Sequence, residues 1–67
     1  MTPDQIRDTL NRLELTTTRA AQLVGVDDRT MRKWLAGERG MPEPVVRLLR
    51  LVSEDRGLIS KLERLAA

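Results

Sequence analysis

A chain of 67 residues makes one small domain and leaves no room for a second. It has neither Cys nor His, which excludes disulfides, thiolate zinc sites, a Cys nucleophile and a Ser-His-Asp triad, and removes the commonest general base; these absences argue against an enzyme. With 40% apolar and 33% charged residues, a net charge of +2, no apolar run near the roughly 20 residues of a membrane span, and no secretory pattern at Met1-Thr2-Pro3-Asp4, the composition reads as globular and cytoplasmic.

The apolar pattern is helical throughout, without repeats or strand alternation. Thr2-Pro3-Asp4-Gln5 combines a cap, a proline at the first helical position, an acid at the positive end of the dipole and the fourth member of a capping box. It opens a first helix expected over Pro3–Glu14, with Ile6, Leu10 and Leu13 as one stripe. Thr16-Thr17-Thr18 interrupts that stripe and is good N-cap material. A second helix is predicted over Thr17–Val24, with Ala20, Ala21 and Val24 inward and Gly25 as its stop. Asp27 caps a third, Asp28–Ala36, with Met31, Trp34 and Leu35 inward and Gly37 as its stop.

Two Gly and a Pro make residues 37–42 a loop. Pro44 suits the first turn of a fourth helix, expected to reach Asp55; its apolar residues cover more than one narrow face, so part of it is a candidate subunit contact. Gly57 is expected to break or bend the chain before a last amphipathic helix over residues 58–66, carrying Leu58, Ile59, Leu62 and Leu65. The fold expected is an all-α bundle of about five short helices.

Charge is unevenly spread. Residues 16–50 carry seven basic and four acidic side chains, +3, against five basic and six acidic, −1, elsewhere. The middle of the chain therefore favours an anionic partner. There, two short helices flank Gly25-Val26-Asp27. Ala21 permits their close approach, Gly25 makes the sharp turn, Val26 fills the corner, and Met31 and Trp34 hold the following helix to the core. Such an arrangement is a helix-turn-helix, whose second helix can enter the DNA major groove.

The string TTRAAQLVGVDDRTMRKWLAGERGMPEPVVRLL, residues 17–49, resembles the helix-turn-helix regulators of the phage lambda repressor and Cro type, and the resemblance extends over roughly residues 4–52. Ala21, Gly25, Val26, Met31 and Trp34 occupy the family's motif positions, and Trp34–Arg39 with Met41-Pro42 resembles its stretch after the recognition helix. Two positions depart from the family pattern: Thr17 stands where many members carry Gln, and Asp28 puts an acid at a usual DNA-facing position. The short length further resembles small phage-type regulators, including the autoregulators encoded beside anti-CRISPR genes, which repress their own operon.

The resemblance implies a sequence-specific repressor that binds a palindromic operator in double-stranded DNA as a homodimer. Arg29 and Arg32 suit bidentate contact with guanine, Lys33 comes next, and Asp28 either accepts from cytosine N4 or pairs with Arg32 one turn on. Thr16, Thr17 and Thr18, with the first amides of the second helix, are candidate phosphate ligands, joined by Arg19 and Arg39. Leu58, Ile59, Leu62 and Leu65 are divided between core and candidate dimer contact.

Blander roles compete at several positions. Trp34 reads as core rather than base stacking, and the threonines cap a helix whether or not they meet phosphate. A cationic helix face is usually only solvated, as expected for Arg47 and Arg50, and it is the adjoining turn that lifts Arg29, Arg32 and Lys33 above that reading. Asp27-Asp28 has no third ligand or base beside it, so it is a weak metal or catalytic pair. Repression by occupying a promoter needs no cofactor, and no small-molecule ligand is expected because the sequence shows no ligand pocket. The competing functional class is an antitoxin or other protein-interaction module on the same fold.

Overall fold

Three of the helices begin where a short polar side chain meets an amide that the helix itself leaves unpaired. In the computed structural model, which describes residues 1–66, Thr2 and Gln5 form a reciprocal capping box at the start of α1 (Pro3–Arg12). Thr16 accepts from the Arg19 amide to open α2 (Thr17–Val24), and Asp27 accepts from the Thr30 amide to open α3 (Asp28–Ala36). Two more follow, α4 (Glu43–Glu54) and α5 (Gly57–Ala66), and there is no strand among the described residues. The expected all-α bundle of five short helices is what the chain forms.

The starts of α2 and α3 lie where the sequence puts them; the end of α1 and the start of α5 differ. The first helix stops at Arg12 rather than Glu14, because Glu14 adopts a left-handed conformation at φ 57°. Its amide donates to the Asn11 carbonyl and that of Leu15 to the Leu10 carbonyl, closing the helix with the paired bonds of a Schellman motif. No glycine marks the site. Leu15 is carried back onto the core beside Leu10, and this apolar return drives the turn. In α4 the proline stands at the second helical position, within the first turn as expected, and the helix ends at Glu54 with Asp55 as its cap, about where the sequence puts it. Gly57 is the first residue of α5 and does not precede it. The interruption lies at Asp55, which is extended and whose carboxylate accepts the Gly57 amide at 3.1 Å.

The core gathers Ile6, Leu10, Leu13 and Leu15 with Ala20, Ala21, Leu23, Met31, Trp34, Leu49 and Val52, and Val46 is buried as well. Leu23 rather than Val24 is the buried residue at the end of α2, and Leu35 is only half-buried; both expected residues flank the core instead. Thr9 is the single buried polar residue among those described, and its hydroxyl donates to the Gln5 carbonyl one turn back. α3 packs on α2 and α1, while α5 lies against α2 and α4. At the far end of α3, Gly37 is left-handed at φ 77°, and a Cβ there would stand 3.3 Å from Pro3 Cγ, so the end of α3 meets the start of α1.

Glu14→Gly removes the left-handed strain and is expected to stabilise the domain by about 0.5–1 kcal/mol, raising the melting temperature by roughly 2–8 °C. An unchanged or lowered melting temperature would contradict that strain. Trp34→Ala should cost about 3–5 kcal/mol, as much as a core of this size supplies in total. Its thermal scan by circular dichroism should show no cooperative transition.

Candidate nucleic-acid interface

The connection between α2 and α3 is three residues long, Gly25 to Asp27. Gly25 takes the left-handed conformation at φ 80°, and the amides of Gly25 and Val26 both donate to the Ala21 carbonyl, at 2.9 and 3.0 Å. Ala20, Ala21 and Met31 are completely buried, so the two helices meet through small side chains and one flexible thioether. Met31 and Trp34 together turn one side of α3 inward. The opposite side carries Arg29, Arg32 and Ala36 exposed, with Asp28 and Lys33 half-buried at its edges.

Four cations of this region, Arg29, Arg32, Lys33 and Arg39, make no ion pair with any described residue. The two carboxylates at the start of α3 are engaged elsewhere. Asp27 bonds the Thr30 amide at 2.8 Å, and its carboxyl is held below the ordinary value first by the hydrogen bonds of Thr30 and then by the charges of Arg29 and Lys33. Asp28 accepts the Thr18 hydroxyl at 3.0 Å, tying the start of α2 to the start of α3; the alternative pairing with Arg32 does not form.

The predicted phosphate ligands take several roles. Thr16 is the cap of α2, Thr17 is half-buried at the first helical position, and Thr18 is the bridge to Asp28. Arg39 is exposed in the loop after α3. Arg19 is paired with Glu63 on α5 at 2.8 Å. Sequence reasoning missed this contact because nothing local marks two residues separated by 44 positions as neighbours. Of the four candidate dimer residues, Leu58, Ile59 and Leu62 are half-buried against the chain's own core, while Leu65 is 82% exposed.

An open groove of about 640 Å³ runs between α1 and the end of α4, which no pattern in the sequence announces. Its rim carries Asp8, Arg12, Arg50 and Glu54, all exposed, and no buried side-chain polar atom among the described residues lacks a partner. Comparison of the chain with protein-family models, with curated proteins and with solved structures gives no match.

The lowered Asp27 carboxyl makes the start of α3 sensitive to acid. The capped form is favoured above the unfolded-state value near pH 4, and that stabilisation is lost as pH falls through the lower native value. Asp27→Asn keeps a good cap that does not titrate. Between about pH 4 and pH 2 the melting temperature of the wild type should therefore fall more steeply than that of Asp27→Asn; parallel curves would remove Asp27 from the acid response.

Proposed function

We propose that this chain is a sequence-specific DNA-binding protein, with α2 and α3 acting as a helix-turn-helix and α3 as the helix that enters the major groove. The observation that carries the reading is the outer face of α3, where Arg29 and Arg32 are exposed and without acidic partners on a helix anchored along its whole inner side. Guanidinium groups on a rigid helix suit the paired acceptors O6 and N7 of guanine. Lys33 and Arg39 extend the positive surface toward the phosphates, and the similarity of residues 17–49 to the lambda repressor and Cro type supports the same assignment.

One such helix reads only a few base pairs. A homodimer on a palindromic operator, with half-sites about 34 Å apart, supplies the remaining specificity. Bound over a promoter, it excludes polymerase without a cofactor, so the reading is a repressor acting in the cytoplasm on its own phage or mobile-element operon. Leu65 and the half-exposed Leu51 are the apolar side chains left for a subunit contact.

The test is a gel-shift titration with duplex from upstream of the gene beside scrambled duplex, at two salt concentrations. Tight binding to the upstream fragment alone is expected. Arg29→Ala and Arg32→Ala should each lose about 1–3 kcal/mol and relax preference at one base position. Weak, equal and steeply salt-dependent binding to both duplexes would reduce the activity to phosphate attraction and overturn the sequence-specific reading.

A further inference from the structure

Of the five cations assigned to a DNA contact, Arg19 alone is already occupied. Its Nη2 donates to Glu63 Oε1 at 2.8 Å, joining residues 44 positions apart. The other ion pair among the described residues, Arg47–Glu43, lies within one turn of α4. Arg19 stands in the first turn of α2, which contains no acid, so a cation faces the positive end of the helix dipole. Glu63 brings the missing negative charge from α5. Carboxylate and phosphate oxygens are the same kind of acceptor for a guanidinium. The two side chains are 53% and 47% exposed, so water screens the pair and leaves it weak enough to be exchanged.

We propose that Glu63 is the internal counter-ion of a phosphate clamp. It holds the Arg19 guanidinium until a backbone phosphate of duplex DNA replaces it, and it returns to water when that happens. The inference rests on the DNA-binding reading above and adds to it a residue outside the α2–α3 unit. Because phosphates carry no sequence information, Glu63 lowers affinity for every duplex by a similar factor and leaves base preference to α3.

Fluorescence anisotropy titrations on upstream and scrambled duplexes, with the wild type, Glu63→Gln, Arg19→Gln and the double variant, test the exchange. Circular dichroism checks that each variant is folded. Glu63→Gln should bind both duplexes about two- to fivefold more tightly than the wild type. Arg19→Gln should bind both more weakly, with a salt dependence shallower by about 0.9 in log–log slope. The double variant should match Arg19→Gln. Unchanged or weaker binding by Glu63→Gln overturns the clamp and leaves Glu63 as a support for α5. A gain that persists in the double variant also overturns it, because the effect is then one of net charge. A wild type that binds neither duplex overturns the DNA reading and the clamp together, whereas a wild type that binds without a Glu63 effect overturns the clamp alone.

Discussion

Met31 and Trp34 determine where α3 lies, and the direction of Arg29 and Arg32 follows from that. A helix of nine residues has no stable orientation of its own in water; it borrows one from the surface it buries. Here that surface is supplied by α2 and α1. Ala20 and Ala21 are small enough for α3 to approach closely, and Gly25 reverses the chain by taking the left-handed conformation at φ 80°. A larger residue at Ala21 would push α3 outward and move the cations of its outer face as a group. The core and the proposed recognition surface are thus two sides of one helix.

The two acids at the start of α3 complement this arrangement. A positive surface meant for an anion is weakened if its own carboxylates neutralise it. Asp27 is committed to an amide and Asp28 to a hydroxyl, and both commitments fasten the beginning of α3. Negative charge at a helix start is favourable in itself. The same residues therefore secure the helix while leaving Arg29 and Arg32 unpaired on its open side.

Much of this was legible in the sequence because it is local. Thr2, Thr16 and Asp27 are caps recognisable within four residues, and Gly25 and Gly37 mark left-handed stops by their lack of a side chain. The parts that escaped depend on what happens at a distance. Glu14 gives no sign of a left-handed stop, since the turn is enforced by Leu15 returning to the core. Leu23 and Val24 are equally apolar, and which of them is buried depends on where α5 and α3 lie. In the site, the cationic face of α3 follows from helical periodicity, but the engagement of Thr18 with Asp28 and of Arg19 with Glu63 requires the bundle to be assembled first.

The longest helix has 12 residues and the shortest eight. Segments of that length are marginal in isolation, so none can persist while its neighbours are unfolded. Loss of one should therefore carry the others with it, and the chain should move between native and unfolded populations without a stable partial form. α2 and α3, like α4 and α5, pack as successive helices, whereas α1 on α3 and α2 on α5 join helices apart in the chain. With most of its remaining contacts local to each helix, the bundle is of the all-helical kind that folds in microseconds to milliseconds. A protein of this kind can turn over by complete unfolding and reform quickly, which makes its abundance sensitive to small changes in stability and its recovery after unfolding fast.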